Sequence, residues 1–191
     1  MAAYPYLVQI AWDAVENFVK DWQQEPYKWY TETDIQTEIA SRIRFSYQVI
    51  GKGTVLGNYT EAVAGFERNQ TWSRVSCQPT VTYTHSDRRK YYCYPDIVIW
   101  EDLEDPNSPP DQTEGANWPM LWVCEIKFNG QPEEDWDLAK MRYLVAQNEV
   151  KYGCWLNMFR RRAETGSGIS WERSLENQRL WVCTAMLPAL L

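Results

Sequence analysis

A chain of 191 residues with 45% hydrophobic and 15% aromatic residues is sized for one domain with a full core, and its composition excludes an intrinsically disordered chain. Its formal net charge of -7 argues against a uniformly basic nucleic-acid surface; its single histidine, His85, excludes a histidine-metal cluster and, falling in a polar turn, argues against a Ser-His-Asp triad. No run reaches the about 18 apolar residues of a membrane helix, and Met1 to Tyr4 lack the charged-then-apolar start of a secretory leader, so a cytoplasmic location is expected.

Leu7, Ala11, Ala14, Val15, Phe18 and Trp22 recur at spacings of three and four, which predicts a helix from about Tyr6 to Trp22. Beyond Pro26, Thr33 followed three residues later by Gln36 fits a capping box. Ile35, Ile39, Ile43 and Ile50 continue the helical spacing as a second helix. Gly51, Gly53, Gly57 and Gly65 punctuate the stretch from Gly51 to Trp72, which shows no sustained period and reads as mostly loop.

From Ser73 the character turns to β. Val75, Cys77, Val81 and Tyr83 predict a strand bent at Pro79, followed by a polar turn from His85 to Lys90. Tyr91 to Trp100 and Met120 to Phe128 are nearly continuous apolar runs, the pattern of strands covered on both faces. Between them Pro106, Pro109 and Pro110 exclude a strand. Glu101, Asp102, Glu104, Asp105, Asp111 and Glu114 stand there without a lysine or arginine, carrying six of the seven net negative charges. That segment reads as a long surface connection, or as a mimic of nucleic acid that shields a site. Pro132 opens and Gly153 closes a further predicted helix, with Leu138, Met141, Val145 and Tyr152 as its buried face. Cys154 to Phe159 and Leu180 to Met186 are two more strands, separated by the polar stretch from Arg160 to Gln178 with its Gly166-Ser167-Gly168 turn. The order predicts a single α/β domain over 1–191, a mixed sheet flanked by helices. Five cysteines without a C-x-x-C pair, each in a strand-like run, read as reduced core residues.

Two of these apolar strands carry charges: Asp96 after Pro95 in one, Glu125 and Lys127 in the next. A buried unpaired carboxylate costs several kcal/mol, so such groups persist when paired or bound to a metal. Glu125 and Lys127 are two apart on a strand and leave the same face. Two carboxylates beside one ammonium suit a hard divalent cation such as magnesium, with the lysine placed to orient or deprotonate a water or to neutralise charge on a phosphorus.

Pro95-Asp96 on one strand and Glu125-Ile126-Lys127 on the next resemble the signature of the PD-(D/E)xK nucleases, the restriction-endonuclease-like superfamily. The element order from Thr33 to Phe159 is similar to that family's core. The resemblance implies a metal-dependent nuclease, foremost a DNA endonuclease, using Mg2+ or in its place Mn2+. It makes Asp96 and Glu125 metal ligands, the Ile126 carbonyl a third, and Lys127 the water-positioning residue. A glutamate from the helix before the sheet often joins such sites. Glu38, at the edge of the isoleucine stripe, is the first candidate and Glu32 the second. Lys140 and the run Arg160, Arg161 and Arg162 are candidate phosphate contacts, in a C-terminal region that carries a local excess of +3 from Lys151 onward. A homodimer is expected if both strands of a duplex are cut, since each chain holds one site. Blander readings stand beside these. The triad has a minor reading as a structural ion pair at a strand end, Glu38 reads as a partner of Arg42, Lys140 as a surface lysine and the arginines as a solvated edge. A catalytically silent nucleic-acid- or protein-binding module on the same fold is the alternative from another class.

Overall fold

The computed structural model describes residues 5–53, 55–63, 66–84, 89–102, 120–129, 136–164 and 170–189. The polar turn at His85, most of the acidic connection, the helix start at Pro132 and the Gly166-Ser167-Gly168 turn lie outside the described residues.

The first helix, α1 (Tyr6–Gln24), buries Val8, Ala11, Val15, Phe18 and Trp22 along one stripe, as their spacing dictates. The second, α2 (Glu32–Val49), begins two residues earlier than the spacing of Thr33 and Gln36 suggests. The capping box is formed by Thr31 and Asp34: the Thr31 hydroxyl accepts the Asp34 N–H at 3.1 Å, and Asp34 accepts the N–H groups of Thr31 and Tyr30 at 3.0 Å. Gln36 is thereby free of capping and is buried.

The stretch from Gly51 to Trp72, read as loop, instead forms the hairpin of β1 (Val55–Val63) and β2 (Phe66–Ser73), paired antiparallel. Backbone pairing overrides the glycine punctuation, and with one strand partner and no place in the main sheet the pair needs no strong apolar alternation. The expected strand bent at Pro79 is two strands, β3 (Val75–Cys77) and β4 (Val81–Thr84). The run from Tyr91 to Trp100 is likewise divided into β5 (Lys90–Cys93) and β6 (Ile97–Trp100). Pro95 lies in the break, where it has no N–H for a ladder.

Strands β3, β6, β7 (Met120–Phe128), β8 (Val150–Arg162), β10 (Leu180–Leu187) and β9 (Trp171–Glu176) form one six-stranded mixed sheet in the order β3-β6-β7-β8-β10-β9. The pairs β7·β8 and β8·β10 are parallel and the others antiparallel. Helices α1 and α2 cover one face, on which Ile97, Cys124, Ile126, Cys154 and Cys183 are buried. The third helix, α3 (Trp136–Ala146), covers the other, with Val98, Val123, Val150 and Trp155. The result is an α/β architecture of three layers.

Gly153 does not close the last helix. Asn148, at φ 60°, does so in a Schellman motif: its N–H donates to the Val145 carbonyl at 3.3 Å and the Glu149 N–H to the Leu144 carbonyl at 3.0 Å. Tyr152 and Gly153 belong to β8. A Cβ at Gly153 would stand 2.8 Å from both Leu180 and Met141, so glycine is there for close approach of helix to sheet. The polar stretch after Arg160 contains the edge strand β9. A turn with Asn177 and Gln178 both at positive φ (49° and 58°), closed by Arg179 N–H to Glu176 O at 3.0 Å, joins it to β10.

Candidate active site

The ladder between β6 and β7 sets Ile97 opposite Cys124. Continued by two residues, it would bring Pro95 opposite Ile126. The Asp96 carboxylate meets the Ile126 N–H there, accepting it at 2.7 Å. The Asp96 carbonyl accepts from the buried Gln36 side chain of α2 and from the Gln78 N–H. Asp96 is therefore fixed by helix, strand and loop together, 8% exposed at the mouth of the break. The same register puts Asp96 beside Glu125, and the alternation of β7 sends Glu125 and Lys127 to the α3 face while Cys124 and Ile126 enter the α1/α2 core.

Helix α3 supplies two residues to this face. Lys140 reaches Glu125 at 3.1 Å and Asp137 at 2.8 Å, and Lys127 reaches Asp137 at 2.6 Å. The charges form a chain in space: Glu125, Lys140, Asp137, Lys127. Lys140 is thus no solvated surface lysine, its side chain being 15% exposed. Asp137, which sequence reasoning passed over, is the hub between the two ammonium groups. Its only sequence signal was its i,i+3 relation to Lys140.

Burial pushes the Glu125 carboxyl up to about 7, against the pull of Lys140 and aided by repulsion from Asp96 and Asp137. Burial also raises Asp96, opposed by the Ile126 N–H and Lys127. Burial would raise Asp137 too, but hydrogen bonds from Lys127 and Lys140 hold it down at about 2. Burial would lower both lysines; Asp137 foremost for Lys127, and Glu125 for Lys140, reverse the effect and raise them above the ordinary range.

Of the two helix glutamates, Glu32 faces this group. Its carboxyl is raised by burial and by Asp96 and Asp137, and lowered by Lys127 and the Phe128 N–H. Glu38 points elsewhere: it accepts from Arg42 at 2.8 Å, and Arg42 also holds Asp21 of α1 at 2.7 Å. The reason is helical geometry. Glu32 lies one turn before Gln36, the residue that meets Asp96, whereas Glu38 lies two positions after Gln36 and so on nearly the opposite side. The second candidate, Glu32, thus stands at this group, and the first, Glu38, is placed away from it.

Trp155 and Asn157 of β8 stand in register with Glu125 and Lys127, and Trp155 packs on the α3 side. Both are buried, and Trp155 Nε1, Asn157 Oδ1 and Glu125 Oε2 are buried without a hydrogen-bond partner. Three orphaned polar atoms on neighbouring strand positions mark where a polar ligand would be satisfied. The sequence signal for Asn157 was an amide in an otherwise apolar strand.

Among the described residues no group of three Asp, Glu, Cys or His side chains is placed to enclose a metal ion. The donor chemistry nevertheless fits magnesium, which takes one or two carboxylates and leaves its other positions to water and substrate phosphate. Glu125 offers an unpartnered buried oxygen. With Glu32, Asp96, Glu125 and Asp137 against Lys127 and Lys140, four acids face two bases, a deficit that a divalent cation neutralises. Of the C-terminal arginines, Arg160 is held among aromatic rings and Arg162 donates to the Pro188 carbonyl at 2.9 Å. Arg161 lies over the Phe159 ring at 4.6 Å and is exposed.

Among the described residues no helix is long and apolar enough to cross a membrane. No family model, no curated protein and no solved structure matches this chain.

Proposed function

We propose that the chain is a metal-dependent nuclease of the PD-(D/E)xK type, with a restriction-endonuclease-like core, that hydrolyses phosphodiester bonds of nucleic acid, DNA foremost. The observation that carries this reading is the meeting of Asp96, Glu125 and Lys127 at one sheet face with an unpartnered Glu125 oxygen. Asp96, Glu125 and the Ile126 carbonyl would hold Mg2+ or Mn2+, with Glu32 beside them. The metal, when bound, polarises the scissile phosphate and acidifies a water.

The chain's own residues have separable tasks. Asp137 keeps Lys127 in its ammonium form, so Lys127 orients the attacking water and offsets charge on the phosphorus rather than removing a proton. Water oxygen bonds to phosphorus and releases its proton to solvent, the bond from phosphorus to the leaving oxygen breaks, and that oxygen takes up a proton from solvent. Lys140 shares the Glu125 carboxylate and keeps it aimed at the site. Were the substrate a duplex, cutting both strands would call for two chains related by a twofold axis, since each chain holds one site.

The test is cleavage of plasmid, linear single-stranded DNA and RNA with Mg2+ or Mn2+, comparing the wild type with Lys127→Ala and Asp96→Ala. Each variant is expected to lose at least about 100-fold in rate, the scale of removing one transition-state contact. Unchanged cleavage in both would sink the assignment. One observation favours a second reading, a catalytically silent binding module: the chain Glu125, Lys140, Asp137, Lys127 already pairs its own charges. A wild type inert on all three substrates and without affinity for Mg2+ would select it.

A further inference from the structure

Arg160 of β8 sits inside a group of aromatic rings. Its guanidinium carbon lies 4.7 Å from the Phe128 ring centre, 5.3 Å from Tyr30 and 5.6 Å from Tyr27. Its position is fixed at several points. One guanidinium nitrogen donates to the Trp29 carbonyl at 2.7 Å, and its backbone N–H donates to Asn129 Oδ1 at 2.9 Å. Arg160 Nε is buried without a partner, so this guanidinium is built into the fold and not held out for solvent.

The two tyrosines are otherwise placed. Tyr27 is 66% exposed and Tyr30 65%. A single exposed tyrosine needs no explanation. Two, steadied by one guanidinium and set beside charged chemistry, present flat apolar faces at small entropic cost, since each has few torsions and a fixed cation behind it. The patch adjoins the candidate active site. Phe128 follows Lys127 in β7, its N–H meets the Glu32 carboxylate, and Glu32 is two residues from Tyr30.

We propose that Tyr27 and Tyr30, held by Arg160, are a stacking platform for unpaired bases next to the phosphate that is cut, so that the substrate is single-stranded nucleic acid or a strand with an unpaired end. The placement of the cut rests on the nuclease reading above; the platform itself does not. Bases within a duplex already stack on one another and offer no face to a protein ring, whereas every unpaired base does. A strand whose phosphate reaches the site past Glu32 would meet Tyr30, two residues away in the chain. Lys28 lies 4.8 Å over the Trp29 ring, its ammonium 3.7 Å from Glu25.

The experiment measures binding by fluorescence anisotropy in chelator, where no strand is cut. The probes are labelled oligo(dT) and oligo(rU) of roughly twelve nucleotides, a span typical of single-strand sites, and a blunt duplex of equal length. The variants are Tyr27→Ala with Tyr30→Ala, and Tyr27→Phe with Tyr30→Phe; melting temperature checks folding. Wild type is expected to bind a single strand more tightly than the duplex. The alanine pair should weaken single-strand binding at least about tenfold, while the phenylalanine pair keeps it, because stacking needs the ring and not the hydroxyl. The oligo(dT) and oligo(rU) arms separate DNA from RNA. The proposal is overturned if wild type binds neither single strand, if the alanine pair binds as wild type does, or if phenylalanine fails to rescue. Lys127-dependent cleavage with an alanine pair that binds normally would remove the platform and leave the nuclease. Tyrosine-dependent binding without cleavage would keep the platform and remove the nuclease.

Discussion

Glu125 is the residue at which burial, charge and hydrogen bonding disagree most. Burial pushes its carboxyl up to about 7 in the folded chain, above its ordinary 4.5, against the pull of Lys140 on one oxygen, while the other oxygen has no partner. A folded-state value above the unfolded one means that the native protein binds more protons between those values. The metal-free protein should therefore lose stability as pH rises from about 4.5 to about 7, by at most about 3 kcal/mol from this group. Urea titrations across that window should show the slope, and Glu125→Gln should flatten it; an unchanged slope would place the cause elsewhere. Asp137 acts in the opposite sense. Its depressed value, about 2, gives stability that is present above its ordinary 3.8 and lost as pH falls toward 2, outside the Glu125 window. At this scale the sequence displayed Asp96, Glu125 and Lys127 because charges stand out in apolar strands. It ranked Glu32 behind Glu38 and hid Asp137 and Asn157, since polar residues near helix starts or a lone amide in a strand have many ordinary explanations.

Each element's boundary is set by one or two residues, and two of these can be tested by stability alone. Thr31 caps α2, the helix that carries Gln36 to Asp96 and Glu32 to the site. Thr31→Ala should cost about 1 kcal/mol, read as a lower urea midpoint with unchanged slope. At Gly153 the missing side chain lets α3 lie close on β8. Gly153→Ala should destabilise by about 1–3 kcal/mol through overpacking against Leu180 and Met141, the lower end if Met141 swings aside. A variant as stable as the wild type would show that the helix has room to move. Because α3 brings Asp137 and Lys140 to the site, displacing it should also weaken any cleavage. The long apolar stripes of α1 and α2 and the runs of β7 and β10 were legible, since their periods follow directly from burial. The β1–β2 hairpin and β9 were not. The sequence there lacks the alternation that marks a half-buried strand, and β9 is a mostly exposed sheet edge.

For the whole molecule, a ligand that binds only the folded chain stabilises it in proportion to its saturation. Magnesium at about a hundred times its dissociation constant should add about 2.7 kcal/mol, a rise of roughly 5–10 °C for a domain of this length. The rise should vanish in chelator and in Asp96→Ala but survive in Lys127→Ala, which touches no metal-binding oxygen. A rise of equal size in Asp96→Ala would place the cation outside the proposed site. By itself the sequence determined the α/β class, the helices flanking a sheet and the three charged residues on or next to two strands, because periodicity and the cost of burying charge are local properties. Only the tertiary structure decided which helix glutamate faces Asp96, that α3 crosses Glu125 and Lys127 with its own Asp137 and Lys140, and that Tyr27 and Tyr30 gather around Arg160. Those outcomes depend on strand order, register and helix rotation, which are fixed by contacts between residues far apart in the chain.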